Sequence, residues 1–246
     1  MKKTIFLTLV FAFFSLVSSI AFATDYIAKG DEFFSKGDLE SYKKAIELYL
    51  SALKEKPEGY EANWRLARAY RWYGEESKRQ GVEGWKDICT EYGKLGMKYG
   101  EKAISFNPEA VEGHYYFGLS VGVYSDGVSI VTALREGLKG KTQSSFEKAY
   151  EIDKTYNLSG PTVALGRFWF VLPWPLNDKK KALKYLREAY STSPESIDCR
   201  LYLGEVLADR GGKEDKAEAI KLLKSVAESD IKYFRDKANN LLADIE

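Results

Sequence analysis

The sequence contains only one histidine and two cysteines, too few for the usual ligand set of a zinc site. Cys89 and Cys199 could form one disulfide in an oxidising compartment, but two cysteines do not make a disulfide framework. A buried free thiol is the simpler expectation for Cys199, which stands beside Leu201 and Leu203. An excess of one charge is also absent, with 37 basic and 36 acidic residues. This balance argues against nucleic acid or an anionic membrane as the main partner.

Long apolar runs are absent except at the N-terminus. Lys2 and Lys3 precede an apolar run over residues 5–17, and Ala21-Phe22-Ala23 places small residues where a signal peptidase reads them. The pattern predicts a signal peptide over residues 1–23, cleaved after Ala23. Its short form is typical of bacteria and predicts a periplasmic protein. Alternatively, residues 5–23 stay uncleaved as a membrane anchor, since they nearly span a bilayer.

An internal repeat runs through the rest of the chain. A small residue, a large residue four positions later, an alanine and a closing proline recur at Ala45-Tyr49-Ala52-Pro57 and Ala182-Leu186-Ala189-Pro194. Gly96-Gly100-Ala103-Pro108 keeps this spacing with smaller residues, and Thr142-Phe146-Ala149 keeps it without the proline. Matching first helices precede them at Leu66-Ala67, Phe117-Gly118, Leu165-Gly166 and Leu203-Gly204. Small residues let paired helices approach closely, and proline ends the second helix.

These residues resemble the tetratricopeptide repeat from about residue 25 to residue 227. The resemblance implies an all-α, right-handed helical solenoid of about five irregular helix pairs, forming one domain over residues 24–246. Residues 231–244 are expected to form an amphipathic helix that caps the last repeat, with its apolar side chains at Tyr233, Ala238, Leu241 and Leu242.

The repeats are longer than the standard unit of about 34 residues, which predicts three insertions. The first, Glu75–Asp87, carries two glycines. The second, residues 124–141, is predicted to contain a helix that begins at Ser125 or Asp126 and ends at Gly137 and Gly140. The third, residues 171–176, contains two prolines and is predicted to be an ordered loop whose Trp174 packs onto the array.

The irregular layout, together with GHYYFGLSVG and ALGRFWFVLPWP, is similar to the periplasmic T component associated with TRAP-type transporters. That resemblance implies an oligomeric periplasmic protein that helps a solute-binding protein deliver an organic ligand. The chain departs from the lipoprotein form that this family often takes, because no cysteine lies near the cleavage point.

Two sequence strings match catalytic motifs but lie in the wrong context. Residues 118–122 fit G-x-S-x-G, which needs a preceding strand, yet here they fall within a helical pattern with the lone His114 on the same helix. Gly140-Lys141-Thr142 resembles the end of a phosphate-binding loop, but Arg135 stands where a glycine is needed. We therefore predict no catalytic residue, no metal, no cofactor and no enzyme activity.

Candidate binding residues come from the tetratricopeptide resemblance, which places certain positions of each first helix on a concave surface. They are Trp64, Arg68, Arg71, Tyr115, Arg167 and Phe170. Arginine binds carboxylates through paired hydrogen bonds and aromatic rings add apolar area, so an anionic, partly apolar ligand would suit them. In the alternative interpretation, Trp64 and Phe170 are core residues, and Arg68 and Arg71 pair with Glu61, Glu75 or Glu112.

Two functions stay open at this point. The leading hypothesis is a non-catalytic, exported scaffold that binds a protein partner in the periplasm. The alternative is a transporter accessory protein that binds a small anionic ligand or a solute-binding protein. Membrane attachment is expected only if the N-terminal segment is uncleaved, and a homo-oligomer is possible. A closed aromatic cavity would favour the ligand, and an open apolar groove would favour the protein partner.

Overall fold

The computed structural model describes residues 23–245. The predicted signal peptide, apart from Ala23, lies outside the described residues. Over residues 23–245 the regular secondary structure is helical, without a strand. The first helix, α1, is described over residues 23–34. The helices that follow are α2 Leu39–Glu55, α3 Tyr60–Arg79, α4 Trp85–Phe106, α5 Val111–Gly127, α6 Ile130–Arg135, α7 Leu138–Asp153, α8 Tyr156–Val171, α9 Lys179–Thr192, α10 Ile197–Arg210, α11 Lys213–Ala227 and α12 Lys232–Ile245.

The chain divides into two compact units, Met1–Lys139 and Gly140–Glu246. The first unit contains α1 to α6 and the second contains α8 to α12, while α7 begins at Leu138 and crosses the division. The expectation of a single domain over residues 24–246 stays a prediction, and each unit is described by itself below.

In the first unit, glycines bring α4 close to α5. A Cβ added to Gly93 would lie 2.6 Å from the backbone nitrogen of Tyr124, and one added to Gly96 would lie 2.4 Å from Ser120 Oγ. The contacts run in opposite directions along the two helices, so the pair is antiparallel. Only glycine fits at such distances, which confirms the packing role that the repeat pattern predicts for Gly96.

The second unit uses the same kind of contact. A Cβ on Gly166 in α8 would lie 2.5 Å from Leu186 in α9, and one on Gly204 in α10 would lie 2.9 Å from Leu223 in α11. The predicted capping helix is also confirmed. In α12, Phe234 and Ala238 are buried against α10 and α11, and its partly buried residues beside this cluster include Tyr233, Leu241 and Leu242.

The three predicted insertions adopt different structures. Glu75–Asp87 mainly lengthens α3, leaving a short loop in which Gly81 and Gly84 have φ of +64° and +72°. An inserted helix is present as α6, but the predicted start at Ser125 or Asp126 is wrong, because α5 continues to Gly127. Instead the Ser129 hydroxyl accepts a hydrogen bond from the Thr132 amide and begins α6.

The expectation for the end of that helix is half right. Gly137 follows α6 with φ of +65°, a backbone conformation that glycine adopts without strain. Gly140, however, lies inside α7. The loop after α8 is non-helical, as its two prolines predict, but the predicted packing of Trp174 is wrong. Its side chain is 86% exposed, because the loop projects it outward.

Candidate functional site

Arg68 lies in a network of charged and aromatic groups within the first unit. Its Nη2 donates hydrogen bonds to Asp31 Oδ1 at 2.7 Å and to the Tyr49 hydroxyl at 3.1 Å. Its guanidinium lies 3.8 Å from the ring centroid of Phe34. The alternative interpretation paired Arg68 with Glu61, Glu75 or Glu112, and this choice of partner is wrong. It is right that Arg68 binds a carboxylate of the same chain.

Asp31 is the centre of this network. It accepts hydrogen bonds from Tyr49 at 2.6 Å and from Arg65 Nε at 2.9 Å, besides the one from Arg68. Burial acts to raise the pKa of Asp31, yet the hydrogen bonds from Tyr49 and Arg65 and the positive charges of the arginines together lower it below the usual value. Asp31 is thus held ionised, and the arginines are already occupied by an acidic group of the protein.

The two predicted aromatic residues of the first unit are buried. Trp64 is 8% exposed, stacks on Tyr116 with ring centroids 5.8 Å apart, and donates from Nε1 to Glu61 at 3.0 Å. Tyr115 is 7% exposed and its ring lies 5.1 Å from that of Tyr116. Both rings fill the core, which confirms the alternative interpretation for Trp64.

Arg71 belongs to a separate group of charges on α3. Its guanidinium lies 4.1 Å from the Trp72 ring, on which Arg79 also lies at 5.2 Å. Burial acts to raise the pKa of Glu75, but the charges of Arg71 and Arg79 lower it overall. Arg71 therefore interacts electrostatically with Glu75, as the alternative interpretation predicts.

In the second unit, Arg167 donates to Glu205 at 2.6 Å and lies over the rings of Tyr202 and Phe170, at 4.7 and 5.8 Å. Phe170 is partly buried. Because four of the six candidates lie in one unit and two in the other, the prediction that they share one concave surface stays a prediction. Within each unit, Arg68 and Arg167 bind internal carboxylates.

The residues that resemble a catalytic motif, Ser120 and His114, have structural roles within and beside α5. Ser120 lies inside α5, fully buried, and its hydroxyl donates to the Tyr116 carbonyl at 2.7 Å. His114 Nε2 is 2.8 Å from the Pro108 carbonyl oxygen. Both cysteines are free, buried thiols, and burial raises the pKa of Cys89 to about 11 and that of Cys199 to about 12. Across residues 23–245, no His, Cys, Asp or Glu cluster is placed to hold a metal ion.

A groove that the sequence analysis did not predict lies between α2 and α4 of the first unit. It has a volume of about 480 Å³ and is open to solvent. Its apolar lining comes from Leu50 and Leu53 of α2, from Pro57 and from Tyr99 of α4, and Lys54, Lys102 and Glu47 line it as charged groups. We call this the α2–α4 groove. None of the six predicted residues lines it.

Stacked tyrosines make one wall of the α2–α4 groove firm. Tyr99 stacks on Tyr70 with ring centroids 5.6 Å apart, Tyr70 meets Tyr92 at 5.7 Å, and Tyr92 stacks on Tyr73 at 4.3 Å. Burial raises the pKa of Tyr70 and Tyr99, so both phenols are neutral at physiological pH. This wall is therefore preformed and does not require ordering when a partner binds.

The charge along the groove is mainly positive. Lys102 lines the groove and lies 5.6 Å from the centroid of the Tyr99 ring, and Lys54 is exposed on the α2 side. Glu47 is the acidic residue of the lining. An apolar side chain flanked by carboxylates is complementary to this combination.

One signal in the sequence could have revealed the groove. The repeat assigns Tyr49 and Ala52 to the helix pair, and both are buried. Leu50 and Leu53 are apolar residues on the same helix that the repeat does not require, and they remain only partly buried. Surplus apolar residues beside a satisfied repeat position indicate a second contact surface.

Comparison with known protein families identifies the family of this chain. The sequence profile of the family described as regulator of microtubule dynamics proteins 1–3 matches residues 26–172, more than half of the sequence. The chain belongs to this family. The family match covers the first unit with the α2–α4 groove and extends through α8. No curated protein matches the sequence. The resemblance to the T component of TRAP-type transporters finds no support in these comparisons.

A solved structure shows the same fold. A thermophilic TPR protein from Thermus thermophilus superposes with a TM-score of 0.65 at 16% identity, covering 90% of this chain and 99% of its own. PilW, a widely conserved type IV pilus biogenesis factor, gives a TM-score of 0.47 at 16% identity, covering 89% of this chain and 98% of its own. The all-α, tetratricopeptide-type fold predicted from the repeat is confirmed by the first of these.

Proposed function

We propose that this protein is an exported, non-catalytic binding protein that holds a partner protein through the α2–α4 groove. The observation that carries the proposal is the groove itself, which is open to solvent and is lined by apolar side chains together with Lys54, Lys102 and Glu47. An open groove accepts a segment of a larger chain, whereas small ligands are bound in enclosed sites. Tetratricopeptide-type folds serve protein–protein interaction in general, which supports the same function.

The lining of the groove indicates the chemistry of the partner. Leu50 and Leu53 are partly buried and offer apolar area for one side chain, whereas Tyr99, which also lines the groove, is 9% exposed. Lys54 and Lys102 would attract carboxylates that flank the apolar side chain of the partner. We therefore expect a segment that has an apolar or aromatic residue between acidic residues.

Export is the second part of the proposal. The N-terminal pattern supports a leader that is cleaved after Ala23 and a periplasmic location. Ala23 is packed against Ala52 and Ala62, beside Tyr26 and Ile27. Cleavage would remove one small side chain from this cluster and keep its larger members, so the first unit would retain its core. Over residues 23–245 no helix has the length and apolar character needed to cross a membrane.

The alternative function, binding of a small anionic ligand, has less support. Arg68 and Arg167 already bind Asp31 and Glu205, so a ligand carboxylate would have to displace an internal one. Trp64 and Tyr115 are buried in the core and do not line the α2–α4 groove. No observation favours a role with a TRAP-type transporter. The family name describes regulators of microtubule dynamics.

Site-specific photocrosslinking in the native host tests the proposal. A photoreactive residue at Ser51, which lines the groove, is expected to crosslink one protein through an acidic segment, identified by mass spectrometry of the crosslinked peptide. The same residue at Lys221, exposed on the second unit, is the control for nonspecific crosslinking. The mature N-terminus, read from the same sample, should be Thr24.

Charge-reversal variants test the groove quantitatively through the affinity for the partner. Lys54→Glu combined with Lys102→Glu should weaken binding of the crosslinked partner about tenfold or more, since two favourable contacts become repulsive. The matched control, Lys213→Glu with Lys216→Glu on α11, changes net charge equally and should leave binding within about twofold. Equal crosslinking from Ser51 and Lys221, or equal loss in both double variants, would reject the groove as the binding site.

A further inference from the structure

Residues 171–176 form an exposed apolar projection at the end of α8 in the second unit, and we call it the Trp174 wedge. Trp174 is 86% exposed, Val171 52% and Leu176 38%. Pro173 and Pro175, the neighbours of Trp174, are exposed as well. Solvated loops are normally polar, so a run of exposed apolar residues around a tryptophan indicates a contact surface.

The wedge is held in a fixed shape. The Leu176 amide donates to the Pro173 carbonyl at 2.8 Å and closes the turn, and the Asp178 amide donates to the Trp169 carbonyl at 2.9 Å, which joins the residue before α9 to α8. Each proline fixes one backbone torsion. A preformed projection loses little conformational entropy when it binds.

The backbone of the wedge is unusually suited to an apolar medium. Burying an amide N–H without a hydrogen-bond acceptor costs several kcal/mol in hydrocarbon. Pro173 and Pro175 have no amide N–H, and that of Leu176 is already used within the turn. Among residues 173–176 the Trp174 amide is the remaining backbone donor, so the segment can enter an apolar environment with few unsatisfied donors.

Three lysines follow the wedge directly. Lys179, Lys180 and Lys181 begin α9 and are exposed. Asp178 and Asp209 offset part of this charge, since Lys179 lies 2.6 Å from Asp209 and Lys181 lies 3.9 Å from Asp178. The local charge is still positive, although the whole chain is nearly neutral. Exposed tryptophan and exposed lysine residues are both common where proteins meet the headgroup region of a bilayer.

We propose that the Trp174 wedge inserts into the interfacial region of an anionic phospholipid bilayer, with Lys180 against the headgroups. A lipid surface fits these observations, because exposed apolar side chains are followed directly in the chain by exposed lysines. The proposal is independent of the α2–α4 groove and of any N-terminal anchor. It assigns a peripheral contact with the membrane to the second unit.

Vesicle binding by the mature chain, residues 24–246, tests this. The probes are flotation with vesicles of phosphatidylglycerol and phosphatidylethanolamine, and quenching of tryptophan fluorescence by brominated lipids. Trp174→Ala should lower the partition coefficient about tenfold, from the loss of one large apolar side chain at the interface. Its circular dichroism should be unchanged because the side chain contacts little of the protein. Lys180→Gln should lower binding about fivefold on these vesicles and not on phosphatidylcholine vesicles.

Val131→Ala is the matched control, since Val131 is another exposed apolar residue, 68% exposed on α6 of the first unit. It should leave the partition coefficient unchanged. The proposal is overturned if the unaltered chain does not bind the vesicles, or if Trp174→Ala and Val131→Ala reduce binding equally. A photoreactive residue at position 174 that crosslinks a protein, with no lipid quenching, would assign the wedge to a protein partner instead.

Discussion

At the scale of single residues, the arginines of the first unit stabilise the fold. Asp31 bonds to Tyr49, Arg65 and Arg68, and the two arginine side chains are each 17% exposed. Removing a carboxylate from such a group leaves buried positive charge without compensation, which costs more than losing a pair on the surface. The residues that the repeat geometry offers for ligand binding are thus used within the protein.

Replacement of Asp31 tests this interpretation. Asp31→Asn should lower the free energy of unfolding at pH 7 by roughly 1–2 kcal/mol, an estimate between surface and buried ion pairs because Asp31 is 38% exposed. The folded-state pKa of Asp31 is lowered, so its contribution is complete above the unfolded pKa of about 3.9 and is lost as the pH falls further. Urea unfolding between pH 7 and pH 3 should show the variant and the original chain converging.

Asp25→Asn is the control for that measurement. Asp25 pairs with Lys29 on an exposed face of α1, where both side chains are more than half exposed. We expect no measurable change in stability and no change in pH dependence. A difference between Asp31→Asn and the original chain that persists unchanged at pH 3 would show that the carboxylate charge is not the cause.

At the scale of helices, close approach is what the repeat encodes. Gly93 faces the backbone of Tyr124, which cannot rotate away as a flexible side chain can. Gly122 on α5 has open space around the position of its missing Cβ. The same substitution should therefore have opposite effects at these two positions.

Gly93→Ala should lower the free energy of unfolding by about 1–3 kcal/mol, because overpacking exceeds the gain in helix propensity. Gly122→Ala should raise it by about 0.5–1 kcal/mol, since only the propensity term applies. Urea or thermal unfolding measures both. If Gly93→Ala also raised stability, α4 and α5 would not approach as closely as the structure places them.

At the scale of the whole molecule, the two units contain one cysteine each, Cys89 in the first and Cys199 in the second. Both thiols are fully buried and bound to backbone carbonyls, Cys89 to Gly74 and Cys199 to Leu186, each at 3.4 Å. Burial raises both pKa values, so the reactive thiolate is scarce near neutral pH. Each cysteine therefore reports the unfolding of its own unit.

Pulsed alkylation along a urea series uses these reporters. We expect neither thiol to react in the native protein, and both to become reactive at the same urea concentration, as a single cooperative domain over residues 24–246 requires. Mass spectrometry of the two cysteine peptides measures each midpoint. Separate midpoints would show that the units unfold independently, and the prediction of one domain would then be wrong.

The fold could be predicted from the sequence because its information is local and periodic. Gly96, Gly166 and Gly204 mark where helices touch, and these contacts follow from residue size at fixed helical spacing. The two prolines around Trp174 likewise exclude a helix from that segment without reference to the rest of the chain. The family membership and the tetratricopeptide-type fold are consistent with this local pattern.

What tertiary structure alone decided is which side chains remain available to a partner. Arg68 is removed from the candidate surface by Asp31, a residue 37 positions earlier, and no local pattern contains that pairing. The α2–α4 groove depends on how far apart two helices lie, and the exposure of Trp174 depends on the direction in which a loop leaves α8. Spacing along the chain determines which helices form and where they touch. Whether a side chain is accessible to a partner depends on distances between residues that are remote in sequence. Those distances are fixed only when the helices pack.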